Sequence, residues 1–279
     1  MTNIHRSFGA ALVSCAIAVL IGTTARATDE SPWNEDVRSA VRLIAGSSKV
    51  DDAVLRAGIE VKLRPGWKTY WRYPGDSGVP PHFDFSGSEN LKKADVFYPA
   101  PHLFTDETGQ SLGYKDTVIF PVVVLPQQSG KPVRLRVKVD YAVCEKLCVP
   151  VEGRAELVLE SGDSKHDPTL TAAEGRVPKH VTAGQLGLTA KRANDGAKPT
   201  VTVDLGAPAG KPVELFVEGP TPQWALPIPK PAKTAPPGRA QFSFELDGLP
   251  PGVDPKRPTD LIFTVVTGDR AVEVKTHLD

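Results

Sequence analysis

The chain has 279 residues, too long for one small sandwich and suited to two modest domains. Its 33 basic and 33 acidic side chains cancel. That balance excludes the electrostatic footprint of a nucleic-acid binder and gives no attraction to an anionic membrane surface.

Residues 1–27 read as a secretory signal peptide. Arg6 supplies the positive start, Phe8 to Thr23 an apolar stretch, and Ala25-Arg26-Ala27 a small-residue cleavage site. Ser14 and Gly22 interrupt that stretch, which falls short of the ~20 apolar residues of a spanning helix. The mature chain is therefore expected to be exported and to carry no membrane span. Cleavage removes Arg6, Arg26 and Cys15 and no acid, leaving 31 basic against 33 acidic residues and no methionine.

After a polar lead-in the pattern is β. "AVLRAGIEVKLRPG" alternates apolar and polar residues and ends at Pro65-Gly66. "DTVIFPVVVLP" is a nearly continuous apolar run with Pro121 inside it, which predicts a bulged or edge strand. "KPVRLRVKVDYAVC" alternates at period two from Val133 to Val139, and "VEGRAELVLE" does so again. Short strands between Gly/Pro/Asp turns, without helical periodicity, predict an all-β fold with an antiparallel β-sandwich over residues 28–162. Residues 163–181 are polar and turn-rich and are expected to be a linker. A second, smaller β-sandwich is expected over 182–279, where Thr267-Gly268-Asp269-Arg270 predicts a hairpin turn. Pro220 to Pro237 holds seven prolines, read first as a stiff surface loop and second as a polyproline docking surface.

The chemistry concentrates in "DYAVCEKLCVP", residues 140–150, with Cys144 and Cys148 the two cysteines left after cleavage. An exported chain resides where disulfides form. A bridge closing so short a loop stabilises a fold less than a long-range one does. On a helix, side chains four apart hold their Cβ atoms ~5–6 Å apart, too far for the ~3.5–4.5 Å of a disulfide. A hairpin with Glu145, Lys146 and Leu147 as its loop brings the two face to face. Pro150 cannot donate to a ladder, so the departing strand is expected at an edge or with a bulge.

Three uses of the pair stay open on these residues: a redox couple, a cuprous-copper site and a plain structural bridge. Soft thiolates select cuprous copper, but no histidine or methionine follows closely, and His166 is the nearest downstream histidine. Zinc would need a second ligand cluster, which the sequence lacks. No metal or other cofactor is expected. His82 and His102 are read as loop histidines. Tyr70, Trp71 and Tyr73 are read first as core aromatics, with packing beside the hairpin as the alternative.

The order of four segments carries a resemblance. "GWKTYWRYPGDSGVPP" (66–81), "YPAPHLF" (98–104), "GYKDTVIFPV" (113–122) and "DYAVCEKLCVPVEGRAELVL" (140–159) resemble the N-terminal, immunoglobulin-like domain of the DsbD and ScsB thiol:disulfide interchange proteins. The resemblance covers roughly residues 45–160. It implies a periplasmic redox module that takes electrons from a thioredoxin-like protein or membrane electron carrier and passes them to envelope disulfide oxidoreductases. Cytochrome c biogenesis and copper tolerance are the settings it suggests. Cys144 and Cys148 match the family's redox pair, at a spacing tighter than the five intervening residues of the best-known DsbD domain. The family shields its pair with a cap loop. "HLFTDETGQSL" (102–112) stands in that place, making Phe104, Asp106, Glu107 and Leu112, with Tyr70, the candidate cap or site-lining residues. Full-length relatives continue into membrane and thioredoxin domains, of which this sequence has neither, so the electron donor is expected to be a separate protein.

Overall fold

The computed structural model describes residues 28–49, 53–75, 78–106, 109–194, 196, 198–208 and 210–279. The signal peptide expected over 1–27 and the candidate Glu107 lie outside the described residues. The first sandwich begins with β1 (Asn34–Glu35), β2 (Ser39–Ala45), β3 (Leu55–Leu63), β4 (Lys68–Gly75), β5 (His82–Asp84) and β6 (Leu91–Val96). It continues with β7 (His102–Asp106), β8 (Gly109–Lys115), β9 (Thr117–Pro126), β10 (Val133–Cys144) and β11 (Cys148–Leu159). One sheet runs β1-β2-β3-β9-β6; the facing sheet runs β11-β10-β4-β8-β7, with β5 also paired to β10.

Alternation decides which side chains are enclosed. Val133, Leu135, Val137 and Val139 of β10 are buried while the intervening Arg134, Arg136, Lys138 and Asp140 reach the surface. The immunoglobulin-like, all-β architecture expected from the sequence is the one observed. β9 is not the edge strand offered as one reading of Pro121 but an inner strand between β3 and β6, and its pairing with β6 is irregular between Leu91 and Lys93, away from the proline. The Pro121 carbonyl accepts the Phe97 N–H just past the last β6 pair, Val96 with Val122. A residue's N–H and C=O point to the same side of a strand, so the missing donor faces the end of that pairing and breaks no ladder.

Within residues 163–181 the chain forms α1 (Asp167–Gly175), which docks on the first sandwich. Pro168 suits its first turn, and Leu170 and Ala173, one turn apart, pack on Ile44 and Ile119. Arg56 of β3 pairs with Asp167 at 2.5 Å and Glu174 at 2.7 Å. So short an apolar stripe is hidden in a polar stretch.

The second sandwich contains β12 (Lys179–His180), α2 (Ala183–Leu186), β13 (Thr189–Ala193), β14 (Thr200–Gly206) and β15 (Glu214–Glu218). It ends with β16 (Lys230–Pro231), β17 (Arg239–Glu245), β18 (Thr259–Thr267) and β19 (Arg270–Leu278). Its sheets run β12-β19-β18-β15 and β13-β14-β17-β16. Thr267 pairs with Arg270, and Gly268 takes the positive φ of 60° that the tight turn needs. The proline-rich stretch is tethered at Trp224, Leu226 and Ile228, which are buried; residues 231–238 are exposed.

The two sandwiches meet on β4. Its pairing with β8 slips between Tyr70 and Gly75. That irregularity carries the intervening residues to the second sandwich. Trp71 packs against Phe216 with ring centroids 6.1 Å apart, and the Tyr73 hydroxyl donates to the Leu226 carbonyl at 2.9 Å. Arg72 binds both Glu218, at 2.6 Å, and Glu273.

Candidate functional site

The β10–β11 hairpin closes at the pair Cys144–Cys148, leaving Glu145, Lys146 and Leu147 as the turn. The two sulfurs stand 2.7 Å apart. Bond formation, at about 2.05 Å, needs a movement of less than about 1 Å. Their surroundings differ sharply. Cys144 is 3% exposed, while Cys148 is open to solvent on the edge strand β11, where Pro150 also sits.

The asymmetry comes from what flanks β10. On its far side β4 pairs Thr69 with Val143 and Lys68 with Cys144. The Thr69 hydroxyl donates to the Ala142 carbonyl at 2.9 Å, and Gly113 lets β8 close against β4, because a Cβ there would stand 2.0 Å from the Thr69 carbonyl oxygen. Opposed and alternate residues share a face, so Cys144, Cys148, Lys68 and Tyr70 project together.

Tyr70 is buried in a small cluster with Ala142 and Cys144, and its hydroxyl lies 2.9 Å from Cys148 Sγ. Gly78 lies against its ring with φ +131°, and a Cβ at that position would stand 2.4 Å from the ring. Burial pushes the Tyr70 phenol well above its ordinary value, and the hydrogen bond to Cys148 adds to the rise. At neutral pH it therefore keeps its proton and can donate to a thiolate formed on Cys148. Burial likewise raises the Cys144 thiol, with Cys148 acting in the same direction; the Tyr70 hydroxyl and the Lys68 charge pull against them.

The segment placed in the cap position folds as the β7–β8 hairpin. Asp106 stands near its tip and accepts from Lys68 Nζ at 2.6 Å; Ser111 Oγ lies 3.0 Å from the same nitrogen. The half-buried Phe104 ring centre is 5.6 Å from that nitrogen and 4.9 Å from Lys115 Nζ. Leu112, named above as a cap candidate, is instead 1% exposed in the core, since β8 turns it inward and leaves it no surface to lay over the pair. Trp71 and Tyr73 are core residues, as the alternation of β4 requires. His82 is in β5 and lines an open groove beside Cys148 with Val79, Pro80, Pro150 and Val151; His102 is in β7, 3.3 Å from an Arg176 nitrogen.

Residues 40–160 match the family described as the N-terminal region of the thiol:disulfide interchange protein DsbD. They form a DsbD N-terminal domain. The crystal structure of the N-terminal periplasmic domain of ScsB from Proteus mirabilis shares the fold, with a TM-score of 0.70 at 19% identity. That likeness spans 90% of this chain and 98% of the other, so it extends past the DsbD N-terminal domain into the second sandwich. No curated protein matches the chain.

Within this DsbD N-terminal domain the residues that sequence reasoning passed over are Lys68, Ser111 and Gly78. A lysine beginning the "KTYWRYPG" strand was the available signal, because its side chain must share the Tyr70 face. Among the described residues no cluster of three or more His, Cys, Asp or Glu side chains is placed to hold a metal ion, and no helix is long and apolar enough to cross a membrane. The Tyr70 hydroxyl gives a direct test of the sulfur site. Tyr70→Phe removes a hydrogen bond to a developing thiolate, worth about 1.5 kcal/mol. Alkylation of the reduced protein at neutral pH is expected to slow by about threefold to fourfold, since a less stabilised thiolate is scarcer but more nucleophilic, measured as the rate of iodoacetamide labelling of Cys148.

Proposed function

We propose that the chain is a periplasmic thiol-disulfide exchange module that relays electrons through Cys144 and Cys148. It accepts them from a thioredoxin-like protein or membrane electron carrier and passes them to envelope disulfide oxidoreductases. The observation that carries this reading is the pairing of one open and one enclosed sulfur at the end of a hairpin. Membership of residues 40–160 in the DsbD N-terminal family supports it.

The asymmetry supports one order for the steps. A donor thiolate reaches Cys148 Sγ and forms a mixed disulfide, expelling Cys144 as the leaving thiolate. The donor's second thiolate then attacks its own partner sulfur and frees Cys148. The donor is oxidised by two electrons and the pair is reduced by two. In the forward half-reaction Cys148 attacks the acceptor disulfide, and Cys144 resolves the complex by attacking Cys148. The groove of Val79, Pro80, Pro150 and Val151 beside Cys148 offers apolar surface for either partner.

A glutathione redox series tests the proposal. An exchanging pair is expected at a potential between about −120 and −270 mV, within reach of thioredoxin-like proteins. A value below about −300 mV identifies an inert structural bond and overturns the reading.

A further inference from the structure

Lys68 stands directly opposite Cys144 across the β4–β10 pairing, where Cβ atoms are about 4.5–5.5 Å apart. Its side chain is only 9% exposed, and its ammonium is held by Asp106 and Ser111. Cys144 is the sulfur that departs with the electron pair when a partner attacks Cys148, and it departs into an enclosed site. Negative charge formed there has little water to solvate it and depends on fixed protein charges.

We propose that Lys68 stabilises the Cys144 thiolate as it leaves, and that Asp106 on the β7–β8 hairpin sets how much of the Lys68 charge that sulfur receives. The inference rests on the exchange reading and adds to it an electrostatic partner for the buried sulfur. In the step concerned, a dithiol partner's thiolate forms a bond to Cys148 Sγ and the Cys148–Cys144 bond breaks. Its electron pair stays on Cys144, across the strand pairing from Lys68, until that sulfur takes a proton or attacks Cys148 again. Asp106 competes with the thiolate for one cation, and Ser111 fixes where that cation sits. The titratable and charged groups on the elements around Cys144 are Lys68 and Tyr70 on β4, Cys148 on β11, Lys115 on β8, Asp106 on β7, and Glu145 and Lys146 in the turn. Of these, Lys68 is directly opposite Cys144 on β4, and Asp106 is its partner.

The test uses opposite signs. In the full chain carrying Cys148→Ser, the thiolate absorbance of Cys144 is titrated with Lys68→Met, Lys68→Arg and Asp106→Asn added singly. Lys68→Met is expected to move the Cys144 titration to higher pH, Asp106→Asn to lower pH, and Lys68→Arg to keep it close to the parent. With both cysteines present, reduction by dithiothreitol is expected to slow about threefold in Lys68→Met and to quicken in Asp106→Asn, because a more stable thiolate leaves faster. A purely structural role for the ion pair would move both variants in the same direction, and that result overturns the inference. So does an unmoved titration in both. Should Lys68→Met fail to fold, the surface change Asp106→Asn decides alone: a downward shift supports the inference, and an absent or upward one overturns it. Opposite titration shifts in a protein inert to every dithiol would uphold the Lys68 role and sink the exchange reading. Active exchange with unmoved titrations would do the reverse.

Discussion

A Cys144→Ser variant is expected to accumulate as a covalent adduct with its thioredoxin-like partners, whereas Cys148→Ser is expected to form none. The difference follows from exposure and from the order of the steps. In Cys144→Ser the open sulfur of Cys148 still forms a mixed disulfide with a partner, and the serine hydroxyl cannot resolve it. A partner whose own second cysteine is replaced cannot release itself, so the complex persists. In Cys148→Ser the remaining sulfur is 3% exposed and enclosed by β4 and Tyr70, and a partner's sulfur cannot approach it in line. Both variants lose turnover completely, yet only one is trapped. Non-reducing electrophoresis reads the outcome after each variant, its remaining thiol activated as a mixed disulfide with thionitrobenzoate, is mixed with a reduced thioredoxin-like protein carrying a single active-site cysteine. Adducts that form equally well on Cys148→Ser would show that the buried sulfur is the reactive one and would reverse the assignment.

How far the site could be read in advance depends on the distance over which each contact forms. The Cys144–Cys148 hairpin is local: period-two alternation on both sides and a three-residue turn fix its register, and β10 and β11 pair as that pattern requires. Tyr70 was ambiguous among three aromatics, although parity along β4 separates it from Trp71 and Tyr73. Those two fall on the core face, and Tyr70 on the face of the sulfurs. Strand parity puts Lys68 on the Tyr70 face, but its place opposite Cys144 comes from pairing with a strand far away in sequence, which no local pattern gives. Helix α1 was hidden because two apolar residues in a polar stretch make no visible period. The inner position of β9 was misjudged because Pro121 looks disruptive until the side its missing donor faces is known. For Lys68, α1 and β9 the answer comes from tertiary contacts that no local window contains.

The second large effect is expected at the junction of the sandwiches. Arg72→Ala should destabilise the chain by about 3 kcal/mol, the lower end of the cost of breaking an enclosed ion pair, since the arginine retains some exposure. Burial alone would pull the Arg72 guanidinium down, but the hydrogen bonds and charges of Glu218 and Glu273 hold it above its ordinary value, so it stays charged throughout. Without it, two carboxylates with side chains 14% and 11% exposed face one another with their shared cation gone; the His180 ring, 3.3 Å from Glu273, is largely in water and replaces little of it. A triple variant that also carries Glu218→Gln and Glu273→Gln should recover part of the loss, because no unpaired charge remains enclosed. Urea unfolding followed by tryptophan fluorescence and circular dichroism measures each of these. The buried core runs continuously from Trp71 into Phe216, so the parent is expected to unfold in one transition and Arg72→Ala in two. A variant that loses less than about 1 kcal/mol and keeps a single transition would mean that Trp71, Tyr73 and their partners hold the sandwiches together without the charge cluster. Two residues before Arg72 stands Tyr70, so a loosened junction also reaches the sulfurs: slower alkylation of Cys148 in Arg72→Ala, under conditions where the chain remains folded, is the expected trace of that coupling.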